Sequence, residues 1–103
     1  MNTGYILINE NSVFIFPFNG EIWLTVCQIA ELFDVFPSAV TANIKSIFKK
    51  GLLDETQVYK AYSSSNKTIN LYNLKMIIAL SYCLSSRKAG KFREWIHWKF
   101  HRK

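Results

Sequence analysis

Pro37 interrupts a run of helical periodicity, and that interruption limits what the surrounding chain can become. Ahead of it, Val26, Ile29, Ala30 and Phe33 recur at the i, i+3, i+4, i+7 spacing of one buried helical face. Proline disfavours the helical conformation in the residue before it, so this first helix is expected over residues 26 to 33 with Thr25 as its cap. Pro37 itself suits the first turn of a second helix. Ala39, Val40, Ile44, Ile47 and Phe48 give that helix a buried stripe up to Lys49 or Lys50, and Gly51 is its stop. The spacing predicts two helices joined by a tight turn.

Helices joined so closely must approach each other, and a small residue in the first, here Ala30, permits it. Asp34 fills the turn and tolerates the left-handed conformation better than most residues other than glycine. Val35 seats the turn and Val40 anchors the second helix. Ala30, Val35, Val40 and Ile44 therefore follow the small, apolar, apolar, apolar spacing of a helix-turn-helix, although a plain αα-hairpin passes a looser form of the same test.

The flanks add a sheet and more helix. Residues 1–26 hold the runs YILI, VFIFPF and IWLTV separated by NENS and Asn19-Gly20, which predicts three short strands, or two and an extended lead-in, with Pro17 at an edge or a strand end. Residues 57–72 read as a hairpin with the polar tip SSSNK. Asn73 then caps a helix burying Leu74, Ile77, Ile78 and the stretch Leu80 to Leu84. SSRKAG breaks the pattern, and the last segment lines Phe92, Trp95, Ile96 and Phe100 along one stripe, with Lys91, Arg93, Lys99 and Arg102 largely off it. The expected architecture is a single α+β domain over residues 1–103: a winged helix-turn-helix with an N-terminal β-hairpin and two C-terminal helices.

Charge points to a partner. Residues 1–44 contain four acids and no Lys or Arg, a balance of −4, whereas residues 45–103 set 13 basic residues against three acids, a balance of +10. A polyanion-binding face needs such segregation, because each neutralised phosphate releases counterions. The outward side of the second helix would offer Ser38, Thr41, Ala42, Lys45, Ser46 and Lys49, with Lys50 at its end. Asn66 and Lys67 stand on the wing tip, and Arg87, Lys88 and Lys91 form a further basic cluster. Double-stranded DNA is the expected partner, with Ser38 and Thr41 bonding phosphate or base edges and the lysines holding phosphate. Dimerisation, by which such domains usually gain affinity, is a further expectation.

The run EIWLTVCQIAELFDVFPSAVTANIKSIF, followed by LDETQVYKAY, YNLKMIIALSY and KFREWI, resembles in order and spacing the DNA-binding domain of the RhuM-type virulence-associated proteins, relatives of the phage Bro and KilA N-terminal domains. The likeness covers the chain from about residue 20. It implies a winged helix-turn-helix followed by helices, and a DNA-binding transcription regulator of phage or mobile-element type, cytoplasmic and nucleoid-associated in a bacterium. The chain departs from the pattern at Asp34, where relatives tend to have glycine, and at Ala42, where they tend to have a basic residue. RhuM-type proteins usually continue into a long C-terminal region, so the resemblance implies a minimal or truncated form.

Other chemistries find less support. His97 and His101 are i, i+4 and would make four zinc ligands with Cys27 and Cys83, but neither cysteine belongs to a CxxC pair, and surface histidines are the expectation. The two cysteines sit in apolar runs as small hydrophobes, which fits a reducing compartment. Nucleotide-loop, nucleophile-elbow and HExxH motifs are absent, so no enzyme, cofactor or small-molecule ligand is expected. Trp95 is expected in the core, and Trp98 more open to stacking on bases. No apolar stretch approaches the roughly 20 residues that span a bilayer, and the N-terminus lacks a signal peptide's basic region. The final basic helix has features of an interfacial membrane helix, but its apolar stripe is no wider than one core contact requires, and no membrane partner is expected. From a different class, the rival reading is a protein-interaction module whose basic face meets an acidic partner.

Overall fold

Tyr5–Ile8 (β1) and Val13–Phe16 (β2) pair antiparallel, with Tyr5 opposite Phe16 and Leu7 opposite Phe14. Strand alternation sends Ile6 and Val13 into the core, with Ile8 and Ile15 packed against it, while Tyr5, Leu7, Phe14 and Phe16 stay exposed on the other face. Gly4 lets the chain pass close beside this hairpin: its φ is +84°, and a Cβ there would sit 2.8 Å from the Phe16 carbonyl oxygen. The computed structural model describes residues 2–101, with the backbone alone for His101.

Asn19 and Gly20, at φ 53° and 77°, form the tight turn that their pairing predicts, and Phe18 and Glu21 exchange backbone hydrogen bonds of 2.9 and 3.1 Å across it. The turn does not extend the first sheet. Trp23–Leu24 (β3) instead pairs with a strand far along the chain, so the three N-terminal strands divide between two sheets. Pro17 follows directly on the end of β2, where its missing N–H removes no ladder bond.

The two helices flanking Pro37 have the expected bounds, Val26–Phe33 (α1) and Pro37–Lys49 (α2). The start of α1 is held by a reciprocal cap: the Thr25 hydroxyl accepts from the Gln28 N–H at 3.1 Å, and the Gln28 side-chain oxygen accepts from the Thr25 N–H at 2.8 Å. Its end is turned by Asp34 in the left-handed conformation (φ 59°, ψ 48°), after which the Val35 N–H donates back to the Ala30 carbonyl at 2.9 Å. Phe36 is the N-cap of α2 and Pro37 its first residue. Val40, Ile44 and Ile47 bury its inner face, and Gly51, at φ 68°, ends the segment.

A one-turn helix, Glu55–Val58 (α3), occupies what the sequence reads as the start of the hairpin. Asp54 creates it by accepting from the Thr56 hydroxyl at 2.7 Å and the Thr56 N–H at 3.0 Å, two bonds that hold its carboxyl below the usual carboxylate pKa. Val58 thereby enters the core instead of opening a strand. The hairpin proper is Tyr59–Ser64 (β4) and Lys67–Asn73 (β5), and with β3 it forms a second antiparallel sheet of order β3-β5-β4.

Asn73 caps Leu74–Cys83 (α4) as expected, accepting from the Met76 N–H at 3.2 Å. Helical periodicity buries Met76, Ile77, Leu80 and Ser81 but turns Tyr82 and Cys83 outward, so the expected continuous burial from Leu80 to Leu84 does not hold. Cys27 is exposed as well, and neither thiol serves as a core hydrophobe. The last helix, Arg87–His101 (α5), begins earlier than the pattern suggests. The Ser86 hydroxyl accepts from the Ala89 N–H at 3.1 Å, which draws Arg87 to Gly90 into the first turn and leaves Leu84 to Ser86 as the break. Arg93 then reaches back and donates to the carbonyls of Ser81 and Leu84, satisfying acceptors at the end of α4. Phe92 and Ile96 are buried and Trp95 is packed against the core, but Phe100 is 69% exposed because the apolar stripe runs out beyond Ile96. The result is an α+β fold with two small antiparallel sheets and, among the described residues, five helices.

Candidate nucleic-acid interface

The turn at Asp34 and the apolar stripe of α2 together decide which side chains of that helix are free. Val40, Ile44 and Ile47 are 0%, 4% and 2% exposed where α2 packs on α1 and α4. At 100° per residue the opposite side then carries Ser38, Thr41, Ala42, Lys45 and Lys49, all exposed, and Lys50 continues it at the C-cap. Ser46 is half-buried, set at the margin of this face because it follows Lys45 toward the Ile47 side. Asn43 is also half-buried and spends its amide on the Ala39 carbonyl at 2.8 Å, within its own helix.

The N-terminal end of α2 has no side-chain cap and no acid in its first turn. The positive end of the helix is therefore open to an anion, with Ser38 beside it. Next to it stands Phe36, 81% exposed. Sequence reasoning missed this residue, although a signal was present: Phe36 lies between the turn-seating Val35 and the first residue of α2, and neither helix's buried stripe includes it.

The second candidate element is the β4–β5 hairpin. Its register runs from Tyr59 opposite Tyr72 to Ser64 opposite Lys67, leaving Ser65 and Asn66 as a two-residue tip, with Ser65 at φ 53°. Every residue from Lys60 to Thr68 is exposed, so Asn66 and Lys67 are available at the tip. Nearer the base, the Lys60 ammonium sits 4.2 Å from the Trp23 ring, whose indole N–H donates to Glu21.

Arg87, Lys88 and Lys91 lie elsewhere. α5 packs on α4, α1 and the β1–β2 hairpin, and its first turns share a small cleft with Ile8, Asn9, Glu10 and Asp34. Arg87 bonds Glu10 at 2.6 Å, an exposed pair of small energetic weight. The cluster thus stands beside the α1–α2 turn in the company of two acids, whereas the residues of α2 share a face of their own. Trp98 is 54% exposed, and Trp95 packs against Phe92 with ring centroids 6.1 Å apart.

No group of His, Cys, Asp and Glu among the described residues is arranged to hold a metal, and the side chain of His101 lies outside them. No described helix is long and apolar enough to cross a membrane. Comparison with known protein families, curated proteins and solved structures finds no match to this chain.

Proposed function

We propose that the chain binds double-stranded DNA as a winged helix-turn-helix, with α2 in the major groove and the β4–β5 tip against the adjacent backbone. The observation that carries this reading is the exposed face of Ser38, Thr41, Ala42, Lys45 and Lys49 on a helix held from behind by Val40, Ile44 and Ile47. Its 13 residues make a rod about 20 Å long, which a major groove admits. The hydroxyls of Ser38 and Thr41 and the open helix end suit phosphate and base edges, while the lysines suit phosphate. The resemblance to RhuM-type domains points the same way, toward a regulator of phage or mobile-element type.

Lys45, Lys49, Lys50 and Lys67 would neutralise about four phosphates. Affinity for random duplex should then fall roughly two orders of magnitude between about 50 and 200 mM salt. Mobility shift across that range tests the reading. A flat salt response, or no shift at low salt, rejects it in favour of a protein module whose basic face meets an acidic partner. Selection from a randomised duplex library then tells whether a sequence is read.

A further inference from the structure

The β1–β2 hairpin carries two apolar faces, and the fold uses one. Ile6 and Val13 are buried in the core, and Ile8 and Ile15 are packed against it. On the other side Tyr5, Leu7, Phe14 and Phe16 are 52%, 48%, 45% and 41% exposed. Cross-strand register places Tyr5 against Phe16 and Leu7 against Phe14, with the Tyr5 and Phe16 rings stacked at 4.6 Å, so the four make one continuous surface. Scattered surface aromatics need no explanation, but four large apolar side chains in register on one ribbon do.

Charge narrows the occupant. Neither strand contains a charged residue, and the first 44 residues contain no Lys or Arg. Lys88 shares a cleft with Tyr5 and Leu7, but Glu31 lines the same cleft, so a nucleic acid or an anionic membrane finds no net positive charge there to attract it. The complement of an uncharged, flat, apolar face is another of the same kind, and a second copy of the chain presents one. At about 200 Å² for a fully exposed large side chain, the four half-exposed residues offer roughly 400 Å² per copy. About 800 Å² for the pair, before rim contacts, falls in the range of weak, reversible association.

We propose that this face joins two copies of the chain about a two-fold axis, Tyr5, Leu7, Phe14 and Phe16 of one meeting the same residues of the other. The contact leaves α2 free, since that helix packs on α1 and α4. Association through the hairpin stands whether or not the chain binds DNA.

Sedimentation equilibrium of the full chain from about 1 to 200 μM covers the concentrations at which a weak, reversible dimer forms. The expected result is a concentration-dependent dimer. Leu7→Lys and Phe14→Lys would each place like charges across the two-fold and weaken it about 100-fold or more, while Tyr62→Lys, on an exposed strand elsewhere, leaves it unchanged. A wild-type chain that stays monomeric throughout, or a dimer that survives both lysine variants, overturns the proposal. Hydrogen exchange on the wild-type chain gives a readout independent of how the variants fold. Protection of Tyr5–Ile8 and Val13–Phe16 should rise with concentration, and a rise confined to other segments also overturns it.

Discussion

Phe33 of α1 and Phe92 of α5 meet edge to face with ring centroids 5.5 Å apart, both with no exposed surface. This contact fastens the last helix to the first, and so backs the helix on which α2 rests. Truncating either ring leaves a cavity in the buried core. Phe92→Ala should lower the unfolding free energy by about 3–5 kcal/mol, and Phe92→Leu by much less. Urea titration followed by circular dichroism measures both. A loss below about 1 kcal/mol for the alanine variant would mean that α5 is not part of the cooperative core.

Much of this arrangement is legible in the residues alone, and the failures have physical reasons. Thr25, Pro37 and Asn73 are local devices whose hydrogen bonds or ring geometry fix a boundary within a residue or two, and all three stand where the pattern puts them. The outward side of α2 follows from its buried stripe, so Ser38, Thr41, Ala42, Lys45 and Lys49 are exposed as expected, with only Ser46 partly covered. Strand pairing is less readable, because β3 finds β5 across more than forty residues and no local signal announces it. The short α3 is hidden by the strand-like VYKAY that follows, although Asp54 marks its start. Phe100, Cys27 and Cys83 mislead because an apolar residue in an apolar run reads as buried whichever way the backbone turns it. The position of Arg87, Lys88 and Lys91 beside Glu10 and Asp34 is a tertiary fact with no counterpart in sequence spacing.

The cap on α1 offers a smaller and sharper test. Thr25→Ala removes the hydroxyl that accepts from the Gln28 N–H and leaves that donor to water. A cost of about 1 kcal/mol is expected, and Thr25→Ser should recover most of it. If the serine variant melts no higher than the alanine variant, the hydroxyl is not what secures the start of this helix.

Tyr72 makes stability depend on alkaline pH. Burial, then Tyr59 and then Glu55 raise its phenol above the usual value of 10.0, and the Tyr59 ring lies 5.4 Å away. Folding therefore favours the protonated form. The contribution is fully present below the unfolded pKa and is lost as pH rises through the higher folded one. In a spectroscopic titration Tyr72 should ionise above the usual phenol value. Denaturation midpoints of the wild type should fall above about pH 10, and Tyr72→Phe should flatten that fall. An unchanged fall in the phenylalanine variant would assign it to other groups.

On the proposed DNA face, the side chains of α2 divide by what each can read. Lys45 and Lys49 are flexible point charges, exposed on successive turns, and on this reading would hold phosphate without sensing the base. Replacing either by Ala should weaken binding to all duplexes alike and reduce the salt slope by about one. Thr41 and Phe36 are short or rigid and lie toward the N-terminal end of the helix, where a hydroxyl, or a ring packing on a thymine methyl, can distinguish bases. Phe36 is 81% exposed and contributes little to the core, so Phe36→Ala should leave the melting temperature nearly unchanged. Selection from a randomised library should nevertheless return a different preferred sequence for Phe36→Ala and for Thr41→Ala, with the salt slope intact. Uniform weakening by all four substitutions would mean that α2 grips the backbone without entering the groove, and the specificity assigned to its first turns would have to be withdrawn.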